Sequence, residues 1–302
     1  MKNIHPIPNL IIPGFPKSGT SALFDTLIQH PAIVGGKSKE PHIYSFPDRF
    51  QNRFTQDHPR SFSHLFGNGE TDDVSFFLEA STSYMISVEA ADRIKEDSPD
   101  CKFIIVARDP VERVLSHYNW IRSLGIPVRP FRKEIEEWKS KPWRPENDFR
   151  GNFKNYLEFS NYGSQIQRYF NIFPKENFLI LSQESLKGTP DQNFHKILDF
   201  LQLERSGLRS VESNVTRSQV HDRTPSRFKK FGQVLPQKPR VWIRDHLIRP
   251  IFKRKFTPIR FSMEDKKWIF DQLLEEILIL DQLGLILPEW RTVNHFHATK
   301  DN

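Results

Sequence analysis

The stretch Asn9–Leu27, "NLIIPGFPKSGTSALFDTL", decides the fold. An apolar run, Leu10 to Ile12, meets a glycine-bounded turn and then a segment that reads as a helix from about Thr20 to Gln29. Strand, tight loop and helix together make an anion site: free N–H groups at the helix start point outward, and the helix dipole favours negative charge. Gly14 and Gly19 allow close backbone approach, and Ser18, Thr20 and Ser21 add hydroxyl donors. The lysine is out of place for an ATPase. A Walker A loop carries lysine directly after its second glycine, and the next hydroxyl holds Mg²⁺. Here Thr20 follows Gly19, and the lysine lies inside the loop as Lys17. Nor does a Walker B acid close an apolar strand, since "IIVARD" ends in an aspartate set between Arg108 and Pro110.

The rest of the chain fits a sheet around that loop. With 302 residues, 37% apolar content and 26 Phe, a sizeable core is affordable and intrinsic disorder is excluded. "AIVG" (32–35) reads as a second short strand, "SFFLEA" (75–80) as a third, and a helix is expected over about 85–95. "KFIIVA" (102–107) is a continuous apolar, β-branched run, the pattern of a strand covered on both faces. Asp109-Pro110 then opens a helix to about Ser123, with aspartate as cap and proline in the first turn. Residues 125–155 read as a Pro- and Trp-containing excursion, a lid or acceptor wall. A helix over 163–170, a strand at 177–182 and a helix at 190–202 follow. The last helix, about Met263 to Leu283, carries an apolar stripe of Ile269, Leu273, Ile277 and Leu280. Strands alternating with helices predict one α/β domain over 1–302, three-layered around a mostly parallel sheet of the P-loop NTPase type.

One cysteine, Cys101, excludes an intrachain disulfide and reads as a packed thiol at a strand entry. The start "MKNIHPIPN" lacks the basic and apolar regions of a signal peptide, and no apolar run approaches the roughly 20 residues a membrane helix needs. A cytoplasmic location without membrane insertion is the expectation. The net charge of +7 suits an anionic ligand or acceptor. It is concentrated between Arg223 and Arg260, where twelve basic residues face one acid, Asp245.

Taken together, "PKSGTS" and "FIIVARDPVERVLSHY" (103–118) closely resemble the sulfotransferase family that uses 3′-phosphoadenosine-5′-phosphosulfate, PAPS. The resemblance implies that the first loop wraps the 5′-phosphosulfate, with Lys17, Ser18, Gly19, Thr20 and Ser21 as its contacts. It implies that Arg108 and Ser116 bind the 3′-phosphate. An arginine at a strand's C-terminal end suits that role, because its fork fits a phosphate bidentately. A sulfuryl donor has no chain of phosphates needing Mg²⁺, so Lys17 would stabilise charge on the leaving phosphate oxygen with no metal.

"KSKEPHIYSF" (37–46) is similar to a segment of the heparan-type and related bacterial sulfotransferases whose glutamate is the general base. Glu40 matches that glutamate and His42 the adjacent histidine; the alternative for Glu40 is a surface carboxylate paired to Lys37 or Lys39. "LEASTSYM" (78–85) departs from the heparan 3-O pattern, with Ala80 where a catalytic lysine is expected, which argues against 3-O-sulfation specifically. Glu79, Ser81 and Tyr84 remain to order the pocket. "SNYGSQIQRYF" (160–170) resembles the helix whose tyrosine lies near the nucleotide, matched by Tyr162. Arg223 and Arg227, in "HDRTPSRFKK" (221–230), are candidates for the loop that closes on the nucleotide. "LGLILPEW" (283–290) resembles a terminus where the tryptophan packs.

The expected activity is sulfuryl transfer from PAPS to an acceptor hydroxyl, on a carbohydrate or other small molecule, with no nucleic-acid partner. Phe, Trp and Arg in segments 46–75 and 125–155 suit sugars or acidic glycans, and nearly as well an aromatic or lipid alcohol. Two other readings stand beside it: a P-loop nucleotide kinase, and a non-catalytic binder of polyanions using the basic 223–260 stretch. Oligomeric state is not legible.

Overall fold

The computed structural model describes residues 6–45, 62–66, 73–141, 154–205, 208–211, 220–222 and 253–298. Arg223 and Arg227, and most of the basic 223–260 stretch, lie outside the described residues.

Five strands form one sheet: β1 (Leu10–Ile11), β2 (Ile33–Gly35), β3 (Phe76–Glu79), β4 (Lys102–Ala107) and β5 (Phe178–Ser182). Their order is β2-β3-β1-β4-β5, and every pairing is parallel. Parallel strands need covering on both faces, and the sequence supplies it: Leu10, Ile11, Phe103, Ile104, Ile105 and Val106 have no exposed surface. Two apolar clusters divide along the pleat. Ile11, Phe103 and Ile105 face one side of the sheet, while Leu10, Ile104 and Val106 face the other. The expected three-layer arrangement is thereby present.

The described helices are α1 (Thr20–Leu27), α2 (Ser63–Phe66), α3 (Ala90–Asp97), α4 (Pro110–Ser123), α5 (Phe131–Lys139), α6 (Tyr162–Phe170), α7 (Gln183–Gly188), α8 (Pro190–Leu201), α9 (Met263–Gln272), α10 (Leu274–Gln282) and α11 (Arg291–Ala298). None is long and apolar enough to cross a membrane. A small antiparallel ladder pairs β6 (Val220–Asp222) with β7 (Lys253–Lys255).

Three expectations need correction. The helix expected over 85–95 starts only at Ala90, after a turn that brings the Met85 N–H to the Pro13 carbonyl at 3.3 Å. The excursion at 125–155 contains a helix, α5, seated by buried Ile135 and by Glu134, whose carboxylate pairs with Lys154 at 2.8 Å. The final helix is two helices interrupted at Leu273. The apolar stripe survives the interruption: Ile269, Leu273, Ile277 and Leu280 are all buried.

All five strands run in the same direction, so the segments leaving their C-terminal ends share one edge. Those segments are the loop after β1, residues 36–45 after β2, 80–85 after β3, Arg108-Asp109 after β4 and the start of α7 after β5. In an open α/β sheet this edge is where ligands bind.

Candidate functional site

The loop after β1 is knitted to the neighbouring strand. Phe15 donates its N–H to the Val106 carbonyl at 2.8 Å, and Val106 donates back to the Gly14 carbonyl at 3.1 Å. A Cβ at Gly14 would lie 2.7 Å from Met85, so glycine is needed for the approach. Lys17 and Gly19 both turn left-handed, with φ of 70° and 91°. Gly19 occupies the cap position of α1, where no side chain accepts the helix's first N–H groups. Ser18 is fully buried and its hydroxyl lacks a hydrogen-bond partner of good geometry. Ser21 is half-buried and Thr20 buried on the first turn of α1.

Tyr162, at the start of α6, stacks on Phe15 with ring centroids 3.8 Å apart, and Trp290 lies behind it at 6.1 Å. The Tyr162 hydroxyl borders Ser18, and burial holds it well above the usual phenol range. Tyr162 is thus a buried support under the loop, and Trp290 packs as expected from its terminal segment.

Arg108 leaves the end of β4 half-buried. Asp109 then caps α4, accepting from the N–H groups of Val111 at 3.0 Å and Glu112 at 3.2 Å. Ser116 is half-buried on α4, and Trp120 sits one turn beyond on the same face. The Lys17 Nζ lies 4.8 Å from the centroid of the Trp120 ring, so this face of α4 borders the loop. Arg113, although inside the same motif, points inward. It is fully buried, donates to Ser160 Oγ at 2.5 Å and to the Tyr156 carbonyl, and contacts His117.

Burial, with the Arg108 and Arg113 charges added, pulls the Lys17 ammonium down to about 8. Lys187, on α7, is lowered by burial and by the same Arg108 charge. The Arg108 charge thus bears on both lysines, with Glu40 acting in the opposite sense on Lys17 and Glu184 on Lys187. Several cations near a helix start, beside the buried Ser18 hydroxyl, fit a ligand with more than one anionic group. Lys17, Ser18 and Gly19 in the loop after β1, and Arg108 and Ser116 at and beyond the end of β4, stand at the same edge of the sheet.

The segment after β2 brings Glu40 and His42 to the same edge. Both have φ of 57°, on either side of Pro41. The Glu40 side chain is 35% exposed, so it is open to an acceptor; it pairs with Lys39 at 2.8 Å and lies 3.7 Å from His42 Nε2. The pairing with Lys39 is the surface alternative considered for Glu40; the Glu40 charge also acts weakly on Lys17, raising its value. His42 Nδ1 shares a hydrogen with Ser83 Oγ at 2.7 Å, and Ser83 with Ser45 at 2.8 Å. Lys17, in the loop after β1, and Glu40 and His42, in the segment after β2, stand on the same edge of the sheet.

Sequence reading passed over Trp120, Gln183, Glu184 and Lys187. The amide of Gln183 closes on the loop, 3.2 Å from where a Cβ at Gly19 would stand. Glu184 accepts the Asp109 N–H at 3.3 Å. Trp120 was discoverable from its spacing of four from Ser116; the α7 residues carried no local signal.

The sulfotransferase domain family model matches residues 8–238, well over half of the chain. Human heparan sulfate glucosamine 3-O-sulfotransferase 6 is 29% identical over 206 residues, which cover 66% of this chain and 53% of that protein. Mouse bifunctional heparan sulfate N-deacetylase/N-sulfotransferase 3 is 30% identical over 203 residues, 65% of this chain and 22% of that one. This chain therefore spans about half of the first relative and about a fifth of the second. A solved sulfotransferase from Alicyclobacillus acidocaldarius superposes with a TM-score of 0.56 at 24% identity, over 80% of this chain and 96% of that one, a likeness of fold.

Proposed function

The chain belongs to the sulfotransferase domain family, and on that premise we propose that it transfers a sulfuryl group from PAPS to a carbohydrate hydroxyl. The observation that carries the proposal is the placement of Lys17, in the loop after β1, and Glu40, in the segment after β2, at one C-terminal edge of the sheet. An anion-stabilising cation opposite a carboxylate base is what in-line displacement at a hydroxyl needs.

In this reading Glu40, with His42 beside it, takes the acceptor proton. The freed oxygen forms a bond to sulfur, and the bond from sulfur to the 5′-phosphate oxygen breaks. The electron pair stays on that phosphate oxygen, next to the Lys17 ammonium and the N–H groups at the start of α1. Arg108 and Ser116 bind the 3′-phosphate and fix the register, and the exposed Lys187 adds to the cationic field. Arg223 and Arg227 stay candidates for closing over the nucleotide. A carbohydrate acceptor is supported by the names of the relatives, which act on heparan sulfate, and by the net positive charge. Ala80, where the heparan 3-O pattern has a lysine, argues against 3-O-sulfation specifically.

The test is transfer of radiolabelled sulfur from PAPS to heparan oligosaccharides, with neutral glycans and phenolic or lipid alcohols in parallel. Label in a glycan, lost on Glu40→Gln while nucleotide affinity persists, supports the proposal. Label only in a phenol or lipid alcohol would overturn the acceptor class, and equal loss of binding and turnover would make Glu40 structural.

A further inference from the structure

We propose that Glu79 is a positioning residue for the candidate base: through the Ser81 hydroxyl it holds the strained loop that presents Glu40 and His42. This role presupposes Glu40 as the base.

Glu79 closes β3 and is buried to 1% exposure. Its Oε1 accepts the Ser81 hydroxyl at 2.5 Å. A serine has one proton to give, and Ser81 gives it to Glu79, so its oxygen is left facing outward as an acceptor. What it accepts is the backbone N–H of His42, at 2.9 Å. Two residues before His42, Glu40 donates its own N–H to the Ala80 carbonyl at 3.0 Å. Residues 79–81 therefore grip the loop on both sides of Pro41.

That grip has something to restrain. Glu40 and His42 both sit at φ of 57°, where a side chain crowds its own backbone and the conformation persists only when the surroundings impose it. Released, the two residues relax toward ordinary backbone and carry their side chains away from Lys17. The ring of His42 is fixed separately by Ser83 and Ser45. Glu79 and Ser81 act on the backbone, and the serine pair acts on the ring.

The groups facing Glu79 come from several elements. Lys39 and Glu40 approach from the loop after β2, Ser81 and Tyr84 from its own segment, Tyr169 from α6, and Cys101 from ahead of β4. Only Lys39 among them is a cation, and burial pushes the Glu79 carboxyl up to about 8. Glu79 is thus a neutral acid over most of the working pH range. Glutamine, equally neutral and with an oxygen to accept from Ser81, is the conservative replacement; leucine fills the space and removes the acceptor.

The experiment compares Glu79→Gln, Glu79→Leu, Ser81→Ala and Glu40→Gln in the full chain. Three quantities are read: hydrogen exchange at the His42 amide, turnover of PAPS with heparan sulfate, and affinity for desulfonated donor, 3′-phosphoadenosine-5′-phosphate (PAP). Glu79→Leu and Ser81→Ala are expected to speed His42 exchange about tenfold or more, as local opening becomes easier. They are expected to lower kcat by about tenfold or more, as misplacement of a base does, with PAP affinity within about twofold of wild type. Glu79→Gln is expected to restore both exchange and kcat. Unchanged His42 protection in Glu79→Leu overturns the proposal, and so does failure of Glu79→Gln to restore it. If Glu40→Gln turns over normally, the base assignment fails separately. If heparan sulfate accepts no sulfur, the amide comparison alone decides.

Discussion

The Asp109 carboxylate accepts the backbone N–H of Thr292 at 2.8 Å, across 183 residues of chain. The same oxygen accepts from Val293 at 3.1 Å, while the other oxygen caps α4 through Val111 and Glu112. One side chain therefore closes the N-termini of two helices and fastens α11 beside Arg108. Asn cannot do this, since its amide nitrogen must face one of the two sets of N–H donors. Asp109→Asn is expected to destabilise the chain by about 1–3 kcal/mol, the range for a lost cap with a buried donor left unpaired. Chemical denaturation gives the size, and faster hydrogen exchange in 291–298 or 110–113 shows which cap was lost.

Lys17 should reveal itself by its proton. Burial and neighbouring cations leave its ammonium near 8, so at pH 8 about half of the free protein has lost that charge. A bound polyanion favours the charged form and raises the value, so binding takes up a proton. Titration with PAP at pH 8 in buffers of different ionisation enthalpy is expected to show this uptake. It should fade below pH 7, where Lys17 is already charged, and vanish in Lys17→Ala. Uptake that persists in Lys17→Ala would assign the proton elsewhere.

Arg108 and Arg113 share a motif but should fail differently. Arg108→Ala is expected to weaken PAP binding by about tenfold or more with Tm almost unchanged, as for a charge-assisted contact to a ligand. Arg113→Ala is expected to cost about 3 kcal/mol or more of stability, because it leaves Ser160, the Tyr156 carbonyl and a cavity behind. Thermal melts beside PAP titrations separate the two.

Much of the fold was legible because its signals are local. A buried β-branched run, then Arg108, then Asp109-Pro110, names a strand, its ligand edge and a helix start in sequence, and the structure has all three there. The break at Leu273 was hidden because Ile269 and Ile277 continue one stripe across it, so the hydrophobic period carries no mark of the kink. Helix α5 did leave a signal, Phe131, Ile135 and Trp138 at helical spacing, masked by the surrounding prolines and charges. The choice of Lys17, Glu40 and His42 as candidates followed from a family likeness. Glu79 and Ser81 stand two apart and were singled out in the sequence, but the bonds from Ser81 to His42 and from Ala80 to Glu40 are tertiary and have no pattern along the chain.

Glu79 also sets a pH dependence of stability. Its carboxyl ionises near 4.5 when unfolded and near 8 when folded, so between these values the unfolded chain has lost a proton that the native one keeps. Stability attributable to this group falls as pH rises through that window and levels off above about 8. Glu79→Gln removes the effect. Its Tm relative to wild type is expected to rise between pH 5 and pH 8, and a constant difference would show Glu79 to be ionised throughout.

The most direct test is calorimetric titration of the purified chain with PAP in the absence of metal, with ATP, which lacks the 3′-phosphate, as comparison. Tight PAP binding, weakened strongly in Arg108→Ala and much weaker for ATP, is the predicted result. No PAP binding, or a preference for ATP that depends on Mg²⁺, would contradict the account and return the loop to a nucleotide kinase.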